Sequence, residues 1–439
     1  MEWSLALGLL LGSMLVLMMM SVPVAFAFLG VNILGAWIFL GGEAGLVQLV
    51  RNSMVSVTTF TLAPIPLFLL MGEILFHSGI AYKSVEAIDR LISRVPGRLS
   101  VVAVVGGTVF SSLSGSTIAN TAVLGSTLLP DMLKRGYSPT IAMGPIMATG
   151  SIAMLIPPSA LAVLLGSLSG ISIAQLLLAG IIPGLMMSVL FVTYIVGRCY
   201  FQPSLAPAEK EIESFTWGER IRPCLVYVLP LFSIFAVVVG SIFSGWATPT
   251  ESAALGSLAS LGAAAAYRSL SIKILVTALM ETAKISSMIL FIIAASMAFS
   301  QILTFSGGTT GLLSVFMEYD LTPFMLLLGM ICVLLVLGAF MDQVSMMLVS
   351  LPFFIPLANA NDINTLWLGV LMLIVMEISF TTPPFGLLLY VMRGVAPPHI
   401  TMRQIYAAAL PFIGLSTLVL IILMAFPEMV TWLPAALRN

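Results

Sequence analysis

Two short runs of this sequence place oxygen ligands and chain-breaking residues in otherwise apolar surroundings. The first holds Ser111, Ser112, Ser114, Gly115, Ser116, Thr117 and Asn120; Thr149, Gly150 and Ser151 follow, then Pro157, Pro158 and Ser159. The second runs Gly338, Ala339, Phe340, Met341, Asp342, Gln343, Val344, Ser345, and later Ser379, Phe380, Thr381, Thr382, Pro383, Pro384. Hydroxyl, amide and freed backbone oxygens are hard ligands that suit a small cation such as Na+. Proline removes a donor and frees a carbonyl one turn back, so a proline pair in an apolar segment predicts a broken helix. Lipid cannot satisfy such groups, so they must be buried in protein or line a site. Ser159, just after the first break, is placed to donate to an anion from a half-helix N-terminus.

The candidate ligands carry competing structural readings. Gly and Ser at a tip also permit close helix packing in a membrane. Asp342 at membrane depth is a functional candidate by default, and a hydrogen-bonded structural aspartate is the alternative. Glu377 lies four residues before Thr381 and could support the second cation site. Glu251, in Thr248-Pro249-Thr250-Glu251, reads as a helix cap. Glu73 and Glu281 read as partners for nearby basic groups. Arg393 after the second break reads as a snorkelling anchor more readily than as an anion attractor. His77 and His399 form no metal pattern, the many Met residues read as adaptable packing, and Cys199, Cys224 and Cys332 as packing residues without a disulfide framework.

The segments that position these runs are set by composition. Of 439 residues 60% are hydrophobic and only 8% charged, a balance foreign to water-soluble domains. Apolar runs exceed the roughly 20 residues that cross a bilayer, and they are continuous rather than alternating, which excludes a β-barrel. The fold class expected is an all-α polytopic membrane protein. The first residues lack a basic region before Leu5, so residues 5–20 read as a retained helix. No Walker sequence is present.

The apolar segments fall into two matching sets: residues 3–20, 22–40, 46–76, 99–130, 138–168 and 171–200, then 223–243, 249–267, 272–305, 321–358, 365–396 and 401–433. Pro23 and Pro249, Pro130 and Pro356, Pro157 and Pro383, Pro158 and Pro384, and Gly30 and Gly256 are all 226 residues apart. The chain is therefore expected to be a duplication. Asp342 is the repeat counterpart of Ser116. Segments 99–130 and 321–358 are expected to be re-entrant hairpins, giving about ten transmembrane helices plus two hairpins. Each half then has an odd number of crossings, so the repeats are inverted. With this topology Lys83, Arg90, Arg98, Lys134, Arg135, Arg198, Arg220, Arg222, Arg268, Lys273, Lys284, Arg393 and Arg403, together with Arg94 and Lys210, share one side. Only Arg51 and Arg438 fall on the other. The crowded side is expected to be cytoplasmic and both termini periplasmic. Inverted repeats with broken helices are a transporter design, with substrate and ions at the repeat interface.

Long ordered motifs carry a resemblance. SGSTIANTAVLGSTLLPDMLKRGYSP, LIPPS followed by LAGIIPG, TPTESAALG, FMDQ, and ISFTTPPFGLLLYVMRGVAPP with AAALPF resemble the large membrane (M) subunit of tripartite ATP-independent periplasmic (TRAP) transporters, over nearly the whole chain. The resemblance implies an elevator-type ion-coupled transporter in the bacterial inner membrane, driven by two or more Na+ ions. It also implies a separate small membrane (Q) subunit, a periplasmic substrate-binding (P) protein and a small organic acid anion as substrate. The implied first sodium site is Ser112, Ser114, Ser116, Asn120 and Gly150, with Asn120 standing where some relatives have Asp. The second is Gly338, Met341, Asp342, Thr381 and Thr382. Substrate contacts are expected from Ser116, Pro158, Ser159, Thr382 and Pro384. Phe385 after the second proline pair departs from the symmetry of Ser159.

The expected organisation has scaffold helices in residues 1–80 and 223–305. The transport domain is expected in 81–200 and 306–439, each part with a hairpin and a proline-broken helix. Residues 201–222 are expected to form a cytoplasmic amphipathic linker with Phe215 and Trp217. Three rival readings differ in class. A membrane enzyme would need a Ser/His or paired-His arrangement, and the chain has only two His residues. A channel would not need two occluding hairpins. A proton-coupled organic anion transporter without a binding protein would use Glu377 or Asp342.

Overall fold

The computed structural model describes residues 2–20, 22–92, 95–114, 117–207, 216–318, 321–338, 341–383 and 386–437, excepting the side chains of residues 81, 111–114, 151, 316 and 317. Among these residues every regular element is helical. The first set is α1 (Trp3–Met19), α2 (Val24–Phe39), α3 (Glu43–Val57), α4 (Pro64–His77), α5 (Ile80–Leu91), α6 (Arg98–Ser114), α7 (Thr117–Lys134), α8 (Pro139–Ile152), α9 (Ala160–Ser169) and α10 (Ile173–Phe201). A short α11 (Trp217–Pro223) leads into the second set: α12 (Leu229–Phe243), α13 (Pro249–Ala266), α14 (Ile272–Phe305), α15 (Gly308–Glu318), α16 (Pro323–Gly338), α17 (Gln343–Ala360), α18 (Thr365–Thr381), α19 (Leu387–Val395) and α20 (Met402–Ala425), followed by α21 (Glu428–Ala436).

The 226-residue shift holds for whole elements. It carries α1 onto α12, α2 onto α13, α5 onto α15 and each of α6 to α10 onto α16 to α20, with starts within three residues. Thus α6/α7 and α16/α17 are the two hairpins, while α8/α9 and α18/α19 are the two broken helices. One difference separates the halves. The apolar run 46–76 is two helices, α3 and α4, parted at residues 58–63, whereas its counterpart α14 is one helix of 34 residues. Pro64 and Pro66 open α4 and cannot continue α3; their counterparts in α14 are Leu290 and Ile292. At about 1.5 Å per residue α14 is about 51 Å long, more than the roughly 30 Å of a bilayer's hydrocarbon.

Helix starts follow local chemistry. Ser159, Ser172, Thr248, Ser271, Asp342, Asn364 and Thr401 each accept a backbone N–H of the next turn. Glu251 has the capping role expected of it: its carboxylate accepts from the backbone and hydroxyl of Thr248, at 2.7 and 2.8 Å. Glu73 pairs with His77 at 3.2 Å and Glu281 with Lys284 at 2.7 Å.

Packing gathers the helices into two groups. In one, α4 lies on α13, α2 and α3 on α14, and α12 on α13. Each repeat thus offers the other the same two surfaces. In the second group α8 packs on α20 and α10 on α18, with α6 and α7 on α8 and α16 and α17 on α18. The hairpins cross over: α7 packs on α19, and α17 on α9. The groups meet where α4 touches α6 and α9, and where α14 touches α15 and α17. The amphipathic α5 buries Ile80, Val85 and Ile88, exposes Tyr82, Lys83 and Glu86, and is tied to the start of α6 by Arg98 and Asp89 at 3.0 Å. Of the amphipathic stretch expected over 201–222, residues 208–215 lie outside the described residues; Trp217 is exposed.

Helix α10 supports the first break. A Cβ on Gly180 would stand 2.3 Å from the Leu155 carbonyl oxygen, and one on Gly184 would stand 2.7 Å from Ile156 Cγ1. These two glycines, one turn apart, let the irregular backbone at residues 153–159 lie flat against α10. Gly180→Ala is expected to cost about 1–3 kcal/mol by overpacking and to lower the detergent-solubilised protein's Tm by several degrees. Gly197→Ala, with open space at its Cβ, should leave Tm unchanged or slightly raised. Thermal unfolding of the two variants side by side checks this.

Candidate ion and substrate site

Helix α7 begins at the first hairpin tip and presents Thr117, Asn120 and Thr121 on one buried face. Gly150 of α8 packs straight onto that face. A Cβ there would stand 2.7 Å from Thr117 Cγ2 and 3.3 Å from Thr121 Oγ1. The structure therefore brings Gly150 and the first hairpin together. Among the described residues the Gly150 carbonyl accepts the Ala153 N–H, at 3.0 Å, because α8 ends two residues later. Ser159 is 2% exposed and caps α9 by accepting from Ala162 N at 3.2 Å. Pro158 is buried beside it. The side chains of Ser112 and Ser114, and all of Ser116 and Pro384, lie outside the described residues.

The second half uses the same backbone with different side chains. Gly338 ends α16 against α18, where its Cβ would overlap the Ser379 side chain at 2.2 Å. Asp342 caps α17. Its carboxylate accepts from Val344 N at 3.1 Å, from Ser345 N at 3.3 Å and from the Ser345 hydroxyl. The residue is exposed. Among the described residues no hydrogen bond joins it to Thr381 or Thr382, whose hydroxyls both donate to the Ile378 carbonyl, at 3.0 and 2.6 Å. Met341 is half-buried and its N–H donates to Leu337 O at 3.1 Å. Arg393 donates to the Ile400 carbonyl, which ties down the chain beyond α19.

Between the two halves sits a residue that sequence reasoning left in a supporting role. Glu377 of α18 is fully buried. Thr117 Oγ1 donates to its Oε1 at 3.2 Å, and the Gln343 side chain reaches the same carboxylate. Thr117 and Gln343 are 226 residues apart and each is the first residue of its inner hairpin arm. One acid therefore spans both hairpins. The 226-residue shift held the signal, since it pairs Thr117 with Gln343; what it could not show was that α18 carries Glu377 to both.

Each broken helix brings a C-terminal and an N-terminal end close together. The carbonyl-rich ends of α8 and α18 favour cations, and the N–H-rich starts of α9 and α19 favour anions. Two crevices of about 210 and 250 Å3 run between the two packing groups. They share Leu168 and Met297 and are lined by Asn52, Ser167 and Gln301 in one, Ser300 and Thr304 in the other.

The family model of the tripartite ATP-independent periplasmic transporter, DctM component, matches residues 11–429. The chain belongs to this family. Its large-permease relatives include the C4-dicarboxylate TRAP transporter large permease protein DctM of Pseudomonas aeruginosa, 33% identical over 86% of this chain and 85% of the relative. The 2,3-diketo-L-gulonate TRAP transporter large permease protein YiaN of Escherichia coli is 28% identical over 97% of both chains. The ectoine TRAP transporter large permease protein TeaC of Halomonas elongata is 28% identical over 97% of this chain and 98% of the relative. The relatives are transporter permeases, not enzymes. The fold is shared with the YdaH transporter of Alcanivorax borkumensis, with a TM-score of 0.63 and 14% identity over 89% of this chain and 91% of that one.

Thr117→Val should strand a buried Glu377 oxygen and cost about 1–3 kcal/mol. Thr117→Ser should retain most of the wild-type stability. Thermal unfolding of the two variants in one detergent measures the difference.

Proposed function

We propose that this large permease carries out Na+-coupled secondary uptake of a small organic acid anion across the bacterial inner membrane by an elevator movement. A periplasmic binding protein delivers the substrate, and a small membrane subunit widens the scaffold. The observation that carries this reading is the convergence of two hairpin tips and two broken helices at one place. Such an arrangement offers carbonyls to cations and N–H groups to an anion. The relatives' named substrates, C4-dicarboxylates, diketogulonate and ectoine, each carry a carboxylate.

Movement follows the packing groups. Residues 1–80 and 223–305 form the scaffold, and 81–200 with 306–439 form the mobile body. Sodium ions order the tips: Ser112, Ser114, Ser116, Asn120 and Gly150 at one, and Gly338, Met341, Asp342, Thr381 and Thr382 at the other. The anion then sits between them against Ser116, Pro158, Ser159, Thr382 and Pro384. Coupling requires the ion-bound form to bind substrate more tightly, and by reciprocity substrate then tightens ion binding.

Reconstitution with the small subunit and cognate binding protein tests the reading. Uptake should fall to background when Na+ is replaced by choline; uptake that continues unchanged overturns Na+ coupling. Asp342→Asn separates charge from capping, because Asn caps a helix as well as Asp does. The variant should fold normally and need several-fold more Na+ for half-maximal uptake. An unaltered Na+ response removes Asp342 from the site.

A further inference from the structure

Glu377 poses a problem that neither proposed sodium site answers. It is 0% exposed, on a helix buried along its length from Leu368 to Thr381. An unpaired carboxylate in such surroundings is costly and must be neutralised. Among the described residues no Lys, Arg or His forms an ion pair with it; the pairs present are His77 with Glu73, Arg90 with Glu86, Arg98 with Asp89, Arg135 with Asp131 and Lys284 with Glu281. Among the described residues its one well-aligned hydrogen bond, from Thr117, reaches Oε1.

Polar atoms without partners lie on the helices that meet at Glu377. Among the described residues, Glu377 Oε2, Gln343 Nε2 and Thr121 Oγ1 are all buried and have no hydrogen-bond partner. Thr121 lies one turn beyond Thr117 on the same α7 face, and both press on Gly150. Gln343 is 5% exposed and reaches the Glu377 carboxylate, but its amide is not aligned to donate. Amide oxygen and nitrogen exchange places on a half-turn, which would present an oxygen instead. These side chains belong to three helices, α7, α17 and α18, drawn from both repeats.

We infer that Glu377, with Thr117, Thr121 and Gln343, forms a further site for a small alkali cation between the inner arms of the two hairpins, beside the two tip sites and sharing no ligand with them. A carboxylate, two hydroxyls and an amide oxygen are the hard donors such an ion takes. The ion neutralises Glu377 and ties the inner arms of both hairpins to α18. Occupancy of this site therefore couples the two tips to each other. The inference goes beyond the Na+-coupling reading and rests on it for the identity of the ion.

Titrating the purified, substrate-free permease with NaCl against choline chloride tests it, with thermal stabilisation and 22Na+ binding as readouts. Glu377→Gln keeps the acceptor for Thr117 and removes the charge; it should bind one Na+ fewer and lower the Hill coefficient for Na+ by about one. Thr121→Val keeps shape and deletes a hydroxyl that has no protein partner. A purely structural role predicts no change or a gain in stability for this variant. A cation site predicts about a tenfold loss of Na+ affinity with the Na+-free Tm retained. Should the wild type itself not respond to Na+, the coupling reading fails and this inference with it. A normal wild-type response with unchanged stoichiometry in Glu377→Gln, or unchanged affinity in Thr121→Val, overturns the site alone. So does a variant whose pH profile shifts while its Na+ response does not, because Glu377 is then neutralised by a proton.

Discussion

The bilayer core supplies no water, so a helix broken at membrane depth leaves N–H and C=O groups that only protein can satisfy, at several kcal/mol for each group left unmet. This chain breaks two helices there, between α8 and α9 and between α18 and α19. Much of the rest of the fold covers those breaks. The inner arm of one repeat's hairpin packs on the half-helix of the other, α7 on α19 and α17 on α9. Gly180 and Gly184 bring α10 onto the first break, and Gly338 brings α16 against Ser379 just ahead of the second. Each break is therefore covered both by helices of its own repeat and by the hairpin of the other.

The two halves share a backbone plan and divide the chemistry. Where the first has Ser116, Thr117 and Ser151, the second has Asp342, Gln343 and Glu377. All formal negative charge at these six positions therefore comes from the second half. Thr117 is touched by both broken helices, by Gly150 of α8 and by Glu377 of α18. Two repeats of like backbone and opposite orientation would also have two related ways of packing the mobile body on its scaffold, as alternating access demands.

Much of this was legible in the sequence, because prolines and apolar run lengths report backbone breaks directly. The 226-residue shift read from Pro23, Pro130, Pro157 and Pro158 predicts the start of every helix in the second set to within three residues. Side-chain roles were less legible. Asp342 has the residue type of a cation ligand and also that of an N-cap, and sequence cannot tell which groups its oxygens meet. Glu377 drew notice as a neighbour of Thr381 and as a proton-coupling candidate, not as a link between the hairpins, since its partners Thr117 and Gln343 stand 260 and 34 residues away. The parting of α3 from α4 was overlooked because residues 46–76 read as one apolar run, although Arg51, Asn52, Ser53, Ser56, Thr58 and Thr59 interrupt it; Pro64 and Pro66 marked the parting, and α14 shows the same run unbroken without them.

The proposed movement of one packing group against the other has a direct structural test at their boundary. Ser167 of α9 donates to the Thr61 carbonyl across that boundary at 3.1 Å. Trp367 of α18 and Leu423 of α20, linked at 2.8 Å, lie within the second packing group. Paired cysteines at each location, in a background where Cys199, Cys224 and Cys332 are replaced by serine, can be oxidised in proteoliposomes and assayed for uptake. Sliding of one group past the other requires the Thr61–Ser167 crosslink to abolish uptake reversibly, with recovery on reduction, while the Trp367–Leu423 crosslink leaves transport intact. Uptake that proceeds at the uncrosslinked rate with Thr61 locked to Ser167 contradicts an elevator.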